Sequence, residues 1–436
     1  MTTGAVHPGS NAERKLGLLL NIAKTLGGEI HLDSMLPTMI AEVSKAMGAE
    51  RTSLFLYDEN RDQLFTKVAE GVQTMEIRVA NGVGIVGMTA QNRAPINIPD
   101  AYQDPRFNRD SDKRLGFVTR SILTAPILSQ ENRLLGVVEV LNKQDGAGFT
   151  AEDETFLAAI GTHLALALER AETVKAYVEA EKMRQALHLA HDIQLGLLPK
   201  KFPAFPNRPE VDLFATLTPA LDVGGDLYDF FLLDEHRVCF VIGDVSDKGV
   251  PAALFMAMVR TAFKISAMAN SGSVASTFER VNEFLCENND SQMFVTVFGG
   301  ILDVRTGLIE YSDGGHEPPF LLRQSGHIEM LEKKGGIALG FLPEYTFPTG
   351  YIQLNAGDTI LLYTDGVNEA FDLQNQMFRT SGIEKSLARY QQGALAVKIV
   401  QDLADSVKVF VGSAPQSDDI TILALRYCAA PATTQS

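Results

Sequence analysis

The stretch GDVSDKGVPAALFMA, Gly243–Ala257, follows the apolar run Val238–Ile242 and leads directly into a helix-like segment. Acids and glycines therefore stand where a buried strand gives out, a place where a lone carboxylate carries a large desolvation cost. The pattern recurs with Asp226 in DVGGDLYDFF, Asp365 in LLYTDGVNEA, and Asp418 and Asp419 in SDDITILALR. Positive charge should sit among these acids. Their companions are Gly, Ser, Thr and more Asp, with no Lys or Arg in obvious register and no His or Cys set of the kind zinc prefers. Hard oxygen donors suit Mg²⁺ or Mn²⁺. Two such ions generate a hydroxide-like nucleophile and clamp a phosphoryl oxygen. Turn chemistry alone accounts for any one Asp-Gly pair, but clusters that all adjoin strongly apolar runs point to phosphate-ester hydrolysis.

The chain has 436 residues, which suggests two domains and a connector, and its hydrophobic content of 45% is that of an ordinary globular protein. A net charge of −16 argues against a nucleic-acid groove and against an anionic membrane surface. Cys239, Cys286 and Cys428 are odd in number and widely spaced, so neither a disulfide framework nor a cysteine zinc site is expected. The first residues lack a signal-peptide core, and no uninterrupted apolar run is long enough to cross a bilayer; a cytoplasmic protein is expected.

Residues 1–12 and 429–436 read as loose tails. An α+β domain is expected over 13–168: two helices between Glu13 and Lys45, then an antiparallel sheet from Thr52–Leu56, Gln63–Val68, Met75–Val79, Ser121–Leu128 and Leu134–Leu141. A long helix should run from near Ala151 to Leu198, with 169–199 as the linker. Ala167, Ala171, Val174 and Val178, then Ala186, Ala190, Ile193 and Leu197, step by four, three and four, a coiled-coil-like seam that predicts a homodimer. From 200 to 428, strand-like runs at Val211–Leu217, Val238–Ile242, Phe294–Leu302, Ile309–Asp313, Thr359–Tyr363 and Ile420–Leu425 alternate with helices at Pro251–Ala269, Ala275–Asn288 and Ala394–Val407. That mix predicts a sheet sandwich with helices outside it.

The stretches DVGGDLYDFF, GDVSDKGVPAALFMA, DGGHEPPFLL, LLYTDGVNEAF and SDDITILAL resemble, in order, the motifs of the metal-dependent serine/threonine protein phosphatases (PPM). They are closest to the bacterial branch typified by the sporulation phosphatase SpoIIE and the stress-response phosphatase RsbU. The resemblance implies an α/β/β/α sandwich with two Mn²⁺ or Mg²⁺ ions at one edge. It also implies that Asp244 bridges the ions, the Val245 carbonyl binds the first, Asp226 supports the first directly or through water, and Asp365 and Asp418 hold the second. Asp419 is the alternative to Asp418, which fits the family pattern better; Asp229 and Asp247 rank lower. His316 either meets the phosphate or braces its turn.

In the front domain, Asn142-Lys143, Phe149 and Asp153-Glu154 resemble the Asn-Lys, Phe, Asp-Glu signature of GAF domains of the cyclic-nucleotide phosphodiesterase and adenylyl cyclase type. Cyclic AMP or cyclic GMP is the ligand so implied, against an empty or differently liganded pocket, with Ser53 and Thr119 as further pocket residues. Lys143 and Asp153 also read as an ion pair that ties the last strand to the closing helix. A covalent bilin is not expected, because this domain has no cysteine. The whole reads as a GAF-regulated protein phosphatase acting on an anti-sigma-factor antagonist or similar phosphoprotein. The rivals are a nucleotide-binding scaffold with a silent phosphatase domain and a small-phosphoester hydrolase.

Overall fold

The structure is a computed structural model that describes residues 15, 17, 32–69, 76–269, 273–390 and 394–429. Residues 1–12 and 430–436 of the expected tails, most of the first expected helix, and Met75 lie outside the described residues. The chain divides into two compact units, Met1–Glu181 and Lys182–Ser436.

In the first unit, helix α1 (Leu32–Met47) precedes strands β1 (Ala49–Asp58), β2 (Gln63–Ala69) and β3 (Arg78–Ala80). Helix α2 (Gly84–Asn92), strand β4 (Ile96–Ile98), helix α3 (Arg109–Leu115), and strands β5 (Ile122–Leu128) and β6 (Leu134–Lys143) follow. The six strands form one sheet in the order β3-β2-β1-β6-β5-β4. Side chains alternate between its faces with period two. Leu54, Val138 and Val140 face a core shared with Ile40 and Val43 of α1 and with Phe156, Leu157, Ile160 and Leu164 of helix α4 (Ala151–Leu197). Phe55 and Val137 face the other way, against Val86 and Ala90 of α2. Ala167, expected in a dimer seam, is instead part of this unit's own core; Val174, Val178 and Ile193 of the seam are exposed.

In the second unit, strands β7 (Val211–Thr218), β8 (Leu227–Leu232) and β9 (Arg237–Val245) lead to helices α5 (Val250–Ala269) and α6 (Val274–Glu287). Strands β10 (Val295–Asp303), β11 (Leu308–Gly314), β12 (Phe320–Leu322), β13 (Ile328–Met330), β14 (Thr349–Gln353) and β15 (Thr359–Tyr363) come next. Helices α7 (Asp365–Asn368), α8 (Arg379–Leu387) and α9 (Ala396–Val411) precede the last strand, β16 (Ile420–Tyr427). Two five-stranded sheets result, β14-β11-β10-β9-β8 and β13-β12-β15-β16-β7. Phe240, Ile242, Phe298 and Tyr311 of one sheet interdigitate with Ile360, Leu362, Leu423 and Leu425 of the other. Helices α5 and α6 cover the outer face of the first sheet, and α8 and α9 that of the second. This is the expected α/β/β/α sandwich. Helix α5 is long and apolar enough to cross a membrane, yet its Phe255, Met256, Val259 and Phe263 are fully packed on the sheet, which marks it as a core helix.

One polar knot closes the first unit. Asp153, buried at the start of α4, accepts hydrogen bonds from Lys143, from Lys15 at 2.9 Å, and from the Thr150 backbone N–H at 2.9 Å. Burial opposes its charge, but these donors outweigh it and hold the carboxyl down at about 2. A depressed acid stabilises the fold above its unfolded value near 3.9 and loses that contribution as pH falls through its folded value. Asp153→Ala should therefore destabilise the first unit by about 3–5 kcal/mol, because it strands buried ammonium groups. Urea titration at pH 7 checks this, and the gap between variant and parent should narrow as the titration is repeated towards pH 2.

Candidate active site

Strand parity decides where each acid of the second unit points. Leu227 of β8 pairs with Gly243 of β9, so Asp226 and Asp244 are the next residues out on adjacent strands. Both continue the rows Tyr228–Phe230 and Phe240–Ile242 that face the opposite sheet. On that sheet Tyr363 of β15 pairs with Ile422 of β16, which puts Thr364 and Thr421 at the corresponding edge. The Thr364 and Thr421 hydroxyls both donate to Asp226 Oδ2, at 2.7 and 2.5 Å. Asp244 lies in hydrogen-bond contact with Asp226, and Asp365 at the start of α7 and Asp418 just before β16 act on Asp244 electrostatically.

Burial raises all three inner acids, and their neighbours add to it. Asp226 is raised well above its ordinary value, first by burial and then by Asp244 and Asp419. Asp244 is pushed up to about 7 by burial, Asp365 and Asp418. Asp365 is pushed up to about 6 by burial and by Asp418, Glu369 and Glu317. The edge is thus short of positive charge. Lys248, on the loop after Asp244, meets Asp418 Oδ2 at 2.7 Å and donates to the Ser417 carbonyl at 2.6 Å.

The donor set fits hard dications. Among the described residues no three His, Cys, Asp or Glu side chains form a ready-made cage; Mg²⁺ needs only one or two carboxylates, because it keeps several waters. Oxygen donors near one another, held partly protonated by mutual repulsion, are the chemistry a dication relieves. Gly225 keeps this edge open, since a Cβ there would fall 2.8 Å from the Val245 carbonyl oxygen.

The two neighbouring acids at β16 differ in what they touch. Asp419, in the inward row with Thr421 and Leu423, accepts from the backbone N–H groups of Ala220 and Gly225, each at 2.8 Å, and of Asp226 at 3.4 Å. Asp419 thus braces the loop that carries Asp226, whereas the half-buried Asp418 meets Lys248. A Cβ on Gly224 would fall 1.8 Å from Asp419 Oδ2, so glycine is obligatory at that contact. Asp229 has the opposite parity to Asp226 and pairs with Arg260 of α5 at 2.8 Å, away from the site. Asp247 is exposed in a left-handed turn, with φ of 76°.

His316 is a brace. Burial pushes it down to about 4, so the ring is neutral at pH 7. Its Nε2–H donates to the Tyr363 carbonyl at 3.1 Å, which leaves Nδ1 to accept from the Thr296 hydroxyl at 2.9 Å. Thr296 pairs with Asp244, and Tyr363 lies two residues before Asp365, so one imidazole ties the two acid-bearing strand ends together. Glu317 and Lys248 are the site residues that reading the motifs does not single out.

In the first unit a cavity of about 530 Å³ opens between the sheet, α2 and α3, lined by Arg51, Phe55, Phe117, Thr119 and Glu139. Burial pushes Glu139 up to about 7, with Arg51 drawing it down and Asp112 pushing it further up. Of the residues expected to hold a ligand, Thr119 lines this cavity, its hydroxyl donating to Asp112 at 2.7 Å. Ser53 lies on the same sheet face, paired with Glu139. The signature residues lie elsewhere. Asn142 accepts from the Arg120 and Ser121 backbone N–H groups, Glu154 accepts from Asn97, Phe149 packs in the helix-facing core, and Lys143 and Asp153 form the polar knot. Lys143 and Asp153 thus form the ion pair between the last strand and the closing helix that the sequence also suggested.

Raised acids make stability pH-dependent with a definite sign. An unfolded Asp has lost its proton above roughly pH 4, whereas native Asp244 keeps it to about 7, so the native state binds more protons in between and stability falls as pH rises. In chelator, the melting temperature of the second unit should drop from pH 5 to pH 8; Mn²⁺ should restore it, and Asp244→Asn should flatten the slope. Calorimetry across that range checks all three.

Comparison with known proteins agrees with this geometry. Residues 234–427 match the family model of stage II sporulation protein E, and residues 31–168 match that of the GAF domain. Protein IcfG of Synechocystis sp. is 29% identical over 274 residues, which cover 57% of this chain and 41% of that protein. Phosphoserine phosphatase RsbU of Bacillus subtilis is 27% identical over 247 residues, covering 56% of this chain and 71% of RsbU. The chain thus spans less than half the length of one of these relatives. Among solved structures, the SiaA PP2C domain of Pseudomonas aeruginosa superposes with a TM-score of 0.51 at 19% identity, covering 57% of this chain and 98% of that domain, a likeness of fold. Residues 31–168 thus match the GAF domain and residues 234–427 the stage II sporulation protein E family model, and the second unit has the fold of the SiaA PP2C domain.

Proposed function

We propose that this chain is a metal-dependent protein serine/threonine phosphatase whose GAF domain senses a small ligand. The observation that carries the proposal is the convergence of Asp226, Asp244, Asp365 and Asp418 at the common edge of two sheets, where Lys248 pairs with Asp418 alone. In this reading Asp244, Asp226, the Val245 carbonyl, Asp365 and Asp418 would together hold two Mn²⁺ or Mg²⁺ ions, Asp244 standing between the other acids. The ions supply a hydroxide-like nucleophile and electrostatic stabilisation of the phosphoryl oxygens. The protein orients and confines. Thr364 and Thr421 fix one oxygen of Asp226, Asp419 holds the loop that carries it, and His316 holds the opposing strand ends in register. Lys248, on a mobile four-carbon stem beside Asp418, is the cation placed to meet a substrate phosphate.

The substrate class proposed is phosphoserine or phosphothreonine on a protein of the anti-sigma-factor-antagonist type, in the cytoplasm; the named activity of the similar Bacillus subtilis phosphoserine phosphatase supports it. Cyclic AMP or cyclic GMP is the proposed ligand of the cavity in the first unit, whose volume and mix of aromatic and charged walls suit a small polar molecule. Regulation would enter through Gln194 near the end of α4. Its buried amide donates to the Gly224 carbonyl at 2.5 Å and accepts from the Gly224 N–H at 3.1 Å, two residues from Asp226. The exposed apolar residues Val174, Val178 and Ile193 support pairing with a second copy.

Mn²⁺-dependent hydrolysis of an aryl phosphate tests the chemistry. Asp244→Asn should lower kcat by more than about a hundredfold, since it removes the acid that stands between the others. Lys248→Met should lower kcat/KM by about tenfold, the worth of one charged hydrogen bond, with Lys248→Arg recovering part of the loss. Equal turnover by the parent and Asp244→Asn would favour a silent scaffold.

A further inference from the structure

A second concavity in the second unit, of about 660 Å³, takes no part in the chemistry above. One wall is Phe294, immediately before β10, and the other is Phe341; their rings meet edge to face at 6.2 Å. Phe341 is 70% exposed and Phe294 37%, so two aromatic faces stand uncovered at one place. Glu283 and Glu287 from the end of α6, together with Glu344, line the same hollow. None of these acids is paired with a basic side chain among the described residues.

The hollow is preformed. Asn282 donates to the Leu342 carbonyl at 2.8 Å and accepts from the Gly340 N–H at 2.9 Å, which fastens the Phe341 loop to α6. It is also continuous with the metal edge. The Phe294 N–H donates to Ser246 Oγ at 3.0 Å and the Ser246 N–H donates to the Phe294 carbonyl at 2.8 Å, and Ser246 is two residues past Asp244.

Charge identifies the occupant. A chain of net charge −16 repels a phosphorylated partner, which carries a further charge of about −1.5 to −2 on its phosphate. The ions and Lys248 meet the phosphate itself, whereas the three acids of this hollow call for positive charge on the segment that fills it. We infer that the hollow docks a segment of the phosphoprotein substrate in which an apolar side chain is flanked by Lys or Arg. The apolar side chain enters between Phe294 and Phe341, and the bases meet Glu283, Glu287 and Glu344. The identity of the partner as substrate rests on the phosphatase reading; the chemistry of the segment does not.

The test is anisotropy titration of the full chain against two dye-labelled peptides that differ only in a central Lys-Leu-Arg or Glu-Leu-Glu. The basic peptide should bind at least about tenfold more tightly. Phe341→Ala, which leaves the charge unchanged, should weaken it by about fivefold, the scale of an aromatic anchor. Glu283→Lys with Glu287→Lys should abolish the preference, whereas the same reversal at Glu131 and Asp145 in the first unit should leave it within about twofold. Equal binding of the two peptides, or a preference that survives Glu283→Lys with Glu287→Lys, overturns the docking site. Aryl-phosphate hydrolysis is measured alongside. Its absence from the parent chain would sink the phosphatase reading and leave the peptide result standing, so the two failures are distinct.

Discussion

Like charges brought together in a place shielded from water are the constraint on which the second unit turns. Asp226, Asp244, Asp365 and Asp418 arrive from four separate motifs, and burial together with neighbouring acids raises the proton affinity of Asp226, Asp244 and Asp365. Such an arrangement costs stability and persists only because the rest of the sandwich over-determines it. Helices on both outer faces and an apolar seam between the sheets hold the strand ends in place whatever the acids prefer. Bound cations would turn that cost into affinity, which is the thermodynamic logic of a preorganised metal edge.

The supporting residues show how the strain is contained. Two threonine hydroxyls converge on one oxygen of Asp226, three backbone N–H groups converge on Asp419, and His316 spans both sheets as a neutral ring. Each is a buried polar group with its partners in place, as low-dielectric interiors demand. Gly224 takes part by what it lacks, because any side chain would displace Asp419. The contact between Gln194 and Gly224 brings the end of the long helix into this network. A change at that helix end therefore bears on the loop carrying Asp226 without touching a ligand.

The first unit uses charge in the opposite way. Asp153 is buried with more than enough donors, and the result is a latch between the last strand and the closing helix. Glu139 is enclosed without such donors, on the sheet face that lines the cavity. Lys143 and Asp153 of the signature belong to the latch, whereas Thr119 and Glu139 line the cavity.

Sequence alone determined the architecture and the identity of the acids, because both are local. Apolar runs with period two or 3.6 specify strands and helices, and an acid beside a buried run is visible in any one segment. The β-sandwich, the long helix and the candidate metal acids were legible for that reason, whereas short elements such as β12, β13 and α7 carry too few residues to show a period. Only the tertiary structure decided which acids share a site. Asp226 and Asp229 differ by strand parity and registry, Asp418 and Asp419 by which backbone donors lie opposite, and Lys248 by a contact across 170 positions of chain. These are distances between segments remote in sequence, set by how two sheets pack, and no single segment contains them.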